Sequence, residues 1–119
     1  MGTFGFEKLD VWNKAKDFTV SIYRITDNFP NAEKFGLVSQ LRRASVSVGS
    51  NIGEGSSRIS GKDQGRSYVM AYSSAVEVLN QLIIIRDLGF LDSEAYKELR
   101  DEIENITAMI NSLHQLTRC

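Results

Sequence analysis

One proline in 119 residues leaves almost the whole chain free to form long helices, and its apolar side chains are spaced to use that freedom. Val11, Ala15, Phe18, Ile22, Ile25 and Phe29 follow one another at alternating steps of four and three. Leu37, Leu41, Ala44, Val48 and Ile52 make a second such series, and Tyr68, Tyr72, Ala75, Leu79 and Leu82 a third. Leu99, Ile103, Ile106, Ile110 and Leu113 make a fourth. Each series falls on one stripe of a helix, and strand alternation fits none of them. The expectation is four amphipathic helices.

The breaks between the series carry turn chemistry. Pro30 stops the first helix near Phe29, and Glu33-Lys34-Phe35-Gly36 leads into the second. Gly53 to Gly61 reads as the clearest loop, because glycine and serine dominate it. Ser60 with Asp63 three residues later resembles a capping box opening the third helix. Gly89 suits a left-handed C′ position closing that helix, and Asp92 or Ser93 can cap the fourth. Connections this short make neighbours antiparallel. The fold class is all-α, an up-down-up-down four-helix bundle, with residues 1–119 as a single domain.

Composition removes several classes of function. A lone cysteine, Cys119, rules out an internal disulfide and suits a reducing compartment, so a cytoplasmic location is expected. The N-terminus lacks the basic and apolar regions of a signal peptide. The longest aliphatic run, Leu82 to Ile85, is far short of the ~20 residues of a membrane span, so no membrane partner is expected. A di-iron bundle needs two Glu-x-x-His pairs, yet the one histidine, His114, has Asn111 at that spacing. A zinc site cannot be built around it; a serine hydrolase would need it as base on the last turn of the last helix, where an ordinary polar residue is the expectation, and no phosphate-loop or dinucleotide glycine pattern is present. The reading is a non-enzyme without cofactor or metal.

Two helices depart from ordinary bundle patterning. The third is apolar on more than one stripe: Val69, Met70, Ala71, Val76, Val78, Ile83, Ile84 and Ile85 add to its seam. Either broad contact with its neighbours or a subunit interface must cover the surplus, and Val76, Ile83 and Ile84 are the candidates for an interface. The second helix instead has a run of small residues, including Gly49 and Gly53. Glycine there costs about 1 kcal/mol against alanine, so close approach of a backbone or ligand is a plausible reason.

Charge is unevenly placed as well. Lys34, Arg42, Arg43, Arg58, Lys62 and Arg66 outnumber Glu54 and Asp63 in one stretch, whereas Asp87 to Glu104 is strongly acidic. Arg42, Arg43, Arg58, Lys62 and Arg66 are therefore candidates for binding nucleic acid or another partner. Arg43, Ser47, Ser50, Asn51 and Glu54 recur at helical spacing. They suit a polar network fixing helix or subunit register, or else a phosphate-binding stripe.

The chain also carries a specific combination: Phe6-Glu7-Lys8-Leu9-Asp10-Val11-Trp12, Phe29-Pro30, Phe35-Gly36-Leu37, Gln40-Leu41-Arg42-Arg43-Ala44 and Ser50-Asn51-Ile52-Gly53-Glu54-Gly55. With Arg58 and Leu88-Gly89-Phe90-Leu91, it resembles the four-helix-bundle family of 23S rRNA-intervening-sequence proteins over nearly its whole length. That family is similar to the accessory proteins of diversity-generating retroelements, which form pentameric barrels and work with a reverse transcriptase. The resemblance implies a homo-oligomer, a pentamer, with RNA or DNA as a partner. A net charge of -1 confines phosphate binding to a local basic surface. The expected function is a non-enzymatic oligomeric scaffold engaging nucleic acid there. The alternative is a protein–protein adaptor with no nucleic-acid role.

Overall fold

The computed structural model describes residues 4–31 and 36–117. A short 3₁₀ turn, Gly5–Lys8, precedes four helices: α1 (Asp10–Thr26), α2 (Leu37–Ser57), α3 (Gly61–Asp87) and α4 (Ser93–Gln115). Cross-helix contacts fix their directions. Thr19 Oγ1 donates to the Ser45 carbonyl and Arg42 Nε to Thr26 Oγ1, so α1 and α2 run antiparallel. Ser47 bonds Ser74 at 2.9 Å while Gly55 lies against Tyr68, which makes α2 and α3 antiparallel. Gly65 against His114, and Arg86 stacked on the Tyr96 ring at 4.4 Å, do the same for α3 and α4. The α2–α3 pair is the most extensive and the α1–α4 seam the least. This is an up-down-up-down four-helix bundle.

Capping follows the sequence closely. Ser60 accepts from the Asp63 amide at 3.1 Å, and Asp92 accepts from the Ala95 amide at 2.7 Å. Gly89 has φ +85°, with the Phe90 amide bonded to the Ile85 carbonyl and the Gly89 amide to that of Arg86, a Schellman end. Phe90 then meets Phe29, their ring centroids 5.8 Å apart, and ties the α3–α4 turn to the end of α1. The lead-in at residues 32–35 lies outside the described residues.

Three expectations need correction. The first helix ends at Thr26, and Phe29 reaches the core from the turn that follows. Most of the expected Gly53–Gly61 loop is helical, with α2 continuing to Ser57 and only residues 58–60 connecting it to α3. The hydroxyls of Ser56 and Ser57 donate to the carbonyls of Gly53 and Glu54, which lets those serines sit in a last helical turn. In α3 the seam is Tyr68, Ala71, Ala75, Val78, Leu82 and Ile85, all buried, whereas Tyr72 is 37% exposed and Leu79 only partly buried. Ala71 and Val78 are small enough to let α2 and α3 approach closely. The core itself is aliphatic, with Ile22, Leu41, Ile52, Leu82, Ile103, Ile106 and Ile110 at its centre.

Candidate functional site

Between Ser67 and Ile85 the sequence has one charged residue, Glu77. Subtracting the buried seam leaves an outward face of Val69 (52% exposed), Met70 (57%), Val76 (48%) and Ile84 (39%), with Ser73 and Asn80 exposed between them. Ile83 belongs elsewhere, since it packs partly against the core. By length and composition α3 could cross a membrane, yet its seam is the wall of the bundle interior. What distinguishes it is the nearly uncharged face that α1, α2 and α4 leave open.

The basic residues divide into two groups. Arg42 is half-buried and spent on α1: Nε donates to Thr26 Oγ1 at 2.9 Å, and one terminal nitrogen donates to the Tyr23 carbonyl and Asp27 Oδ1. Its guanidinium also lies 4.5 Å from the Tyr23 ring centroid. Arg42 is a clamp between helices, not part of an open cationic surface. Arg58, Lys62 and Arg66, by contrast, are exposed around the α2–α3 turn, at the positive end of the long α3 dipole. Arg66 reaches Asp63 only at 4.0 Å, and Arg43 is exposed farther along α2. Lys34 lies outside the described residues.

A histidine that sequence reasoning set aside joins this end of the molecule. A Cβ on Gly61 would lie 2.9 Å from the Thr117 carbonyl oxygen, and one on Gly65 3.1 Å from Thr117 Oγ1 and 3.6 Å from the His114 ring. The two glycines thus let the last turn of α4 rest on the first turns of α3. An open cleft of about 530 Å³ forms there, with Lys62, Arg66 and His114 around an apolar wall of Val69 and Met70. The detectable signal was the pair of glycines one helical turn apart.

The polar series of α2 also splits. Asn51 Nδ2 donates to the Ser47 carbonyl at 2.9 Å and lies 3.1 Å from Ser47 Oγ, which bonds Ser74 Oγ on α3. That trio is a half-buried link between α2 and α3. Arg43, Ser50 and Glu54 are not in it: all three are exposed, and Arg43 and Glu54 make no ion pair among the described residues. A helical stripe drawn through all five residues straddles an inward edge and an outward one, which is why only two of them enter the network.

On the other side of α2, the glycines meet aromatic rings. A Cβ on Gly53 would lie 3.6 Å from Phe6, and one on Gly49 3.9 Å from the Trp12 indole nitrogen. Phe6 and Trp12 pack edge to face with centroids 4.8 Å apart. Together with Phe4, Val20 and Val46 they line an apolar groove of about 630 Å³ along α1 and α2. Glu54 stands on one rim and Lys16 on the other. Among the described residues, no cluster of three or more His, Cys, Asp or Glu side chains could hold a metal.

No curated protein matches the chain. A crystal structure of a protein of unknown function from the S23 ribosomal protein family of Bacteroides thetaiotaomicron shares the fold, with a TM-score of 0.82 at 24% identity. The likeness covers 88% of this chain and 95% of that one. The sequence signature of the 23S rRNA-intervening sequence proteins matches residues 7–112, across all four helices. The chain belongs to that family.

Proposed function

We propose that the protein is a non-enzymatic scaffold that assembles with copies of itself through the outward face of α3. The observation that carries this reading is the exposure of Val69, Met70, Val76 and Ile84 on a helix with a single charge between Ser67 and Ile85. Exposed apolar residues are ordinary when scattered, but a contiguous stripe several turns long with a single carboxylate on it marks a contact surface. A ring of five copies is what the resemblance to the retroelement accessory proteins implies. Light scattering at micromolar concentration should give a mass several times 13.3 kDa. Val76→Glu combined with Ile84→Glu should reduce it to one chain with the helix content unchanged. A wild-type monomer throughout that range refutes the scaffold reading.

Nucleic acid is the partner favoured by a separate observation, the exposed trio of Arg58, Lys62 and Arg66 at one end of α3. Several copies in one assembly would repeat that trio and multiply a local cationic surface on a chain of net charge -1. Binding to single-stranded RNA or DNA should then fall steeply with salt. Arg58→Glu and Lys62→Glu should weaken it alike for all sequences, whereas Arg42→Ala should change it little while the fold is intact. Absence of binding at low salt by an assembled protein leaves the adaptor, which contacts only other proteins, as the reading.

A further inference from the structure

We propose that the groove between α1 and α2 receives the outward ridge of α3 from a second copy of this chain, an inference that rests on the self-assembly reading. The first argument is area. From Val69 to Ile84 the ridge is about 22 Å long at ~1.5 Å per residue and only one helix wide, ~10 Å. A flat contact of that size is well below the ~800 Å² that each partner contributes to a stable interface. A ridge seated in a groove contacts its partner on both flanks as well as on its crest, and the α1–α2 groove is an apolar depression of about 630 Å³.

Charge supplies the second argument and a direction. Glu54 lines the groove beside Phe6 and has no ionic partner among the described residues, whereas Lys16 holds its ammonium 5.7 Å from the Trp12 ring centroid and 3.6 Å from Asp17. The ridge carries Lys62 and Arg66 before its apolar residues and Glu77 after Val76. Laid parallel to α1 and antiparallel to α2, it puts Arg66, the basic residue next to its apolar part, toward Glu54 and leaves Arg58 and Lys62 open. The reverse orientation turns the acidic part of the ridge, Glu77, toward Glu54.

The same charges disfavour the obvious competitor, in which two α3 ridges pack on each other about a two-fold axis. The midpoint of the Val69–Ile84 face lies beside Glu77, so that arrangement sets the two Glu77 carboxylates against each other near the axis. It also leaves Phe4, Val20 and Val46 uncovered in the groove. Ridge and groove share no residue, so the contact is heterologous, and both surfaces are covered on every copy only when the chain of contacts closes.

Cross-linking distinguishes these arrangements. Ser50 on the groove rim and Ser73 on the ridge are both exposed, and each can be changed to Cys in a Cys119→Ser background. An equal mixture of Ser50→Cys and Ser73→Cys chains should give a covalent dimer under mild oxidation, with none from either chain alone. In parallel, Gly49→Leu should fill the groove and reduce the mass to one chain without loss of helicity. Glu54→Arg should weaken assembly about tenfold, and adding Arg66→Glu should restore it. Dimers from Ser73→Cys alone, or an assembled protein that gives no mixed dimer and tolerates Gly49→Leu, overturn the groove assignment while self-assembly through α3 stands. A wild-type monomer overturns both.

Discussion

Two glycines of α2, only two residues apart, should respond to the same substitution with opposite signs. A Cβ on Gly55 would lie 2.5 Å and 2.9 Å from Cε1 and Cδ1 of Tyr68, and 3.0 Å from Ser67 Cβ. Carbon atoms settle at about 3.5–4.0 Å, so the nearest contact is about 1 Å too short. Tyr68 is only 3% exposed, and its ring cannot swing into solvent to make room. Either α2 and α3 separate or Tyr68 leaves its packed position, at the usual overpacking cost of about 1–3 kcal/mol. Alanine returns at most about 1 kcal/mol of helix propensity, because Gly55 stands in the last turn of α2. With two ring atoms and a backbone-attached carbon in collision, the cost sits in the upper part of its range, and Gly55→Ala should lose about 1–2 kcal/mol net. Gly53→Ala meets nothing closer than 3.6 Å, so the helix gain stands and stability should rise by up to about 1 kcal/mol. Urea unfolding of both variants at one protein concentration, with unchanged m-values, reads the contrast directly. The Gly55→Ala melting temperature should fall by roughly 3–10 °C for a domain of this size. If Gly55→Ala is as stable as the wild type, the close approach of α2 and α3 at Tyr68 is wrong.

Arg42→Ala should cost about 1–2 kcal/mol through loss of the hydrogen bonds to α1 and the stacking on Tyr23. Arg42→Lys should recover less than half in the same urea assay, because one ammonium cannot both stack and bridge Thr26 with the Tyr23 carbonyl. Gln81 is 4% exposed, its Nε2 donates to Glu77 Oε1 at 3.3 Å, and its Oε1 has no partner among the described residues, so Gln81→Met should raise stability by up to about 1 kcal/mol; a loss would show that the amide is satisfied. Burial first, then the neighbouring Glu98, push the Glu102 carboxyl above the ordinary 4.5, against the pull of Lys14. A raised folded value costs stability above it, and the cost fades as pH falls through it toward 4.5. Glu102→Gln should therefore melt higher than the wild type at pH 7, by a small amount because the side chain keeps solvent contact, with the gap closing toward pH 4. A gap that widens on acidification contradicts the assigned direction.

The helices that sequence reveals best are those whose non-core faces are unmistakably polar. In α4 the residues between Leu99, Ile103, Ile106 and Ile110 are mostly charged or amide-bearing, so the four-three pattern has one solution and the structure buries that one. In α3 nearly every position from Tyr68 to Ile85 tolerates burial, and two stripes satisfy the same periodicity. The stripe through Tyr72 and Leu79 has the larger side chains, which made it the natural choice from sequence. The stripe through Ala71 and Val78 is the one that faces inward, because small side chains permit the close α2–α3 packing that Gly55 also requires. The end of α2 was obscured for a related reason. Glycine and serine signal a loop by their conformational freedom, yet here the glycine is needed by a tyrosine on the next helix and the serines bond backward to their own turn.

Surface function was legible only in outline, because it is what remains after the fold has taken its share of each residue type. Arg42 and Arg43 are indistinguishable in sequence, but a difference of about 100° around the helix makes one a clamp on α1 and leaves the other in solvent. Ser47 and Ser50 separate in the same way, one bonded to Ser74 and the other open on the groove rim. The apolar surplus of α3 behaves likewise: Ala71, Val78 and Ile85 are absorbed by the core, while Val69, Met70, Val76 and Ile84 are not. Composition counts these residues together, but function depends on the remainder. That remainder is an apolar ridge on α3 with one carboxylate, Glu77, a cationic end that continues it, and an apolar groove between α1 and α2. Ridge and groove share no residue and no helix, and the proposed contact between copies is the arrangement that would cover both.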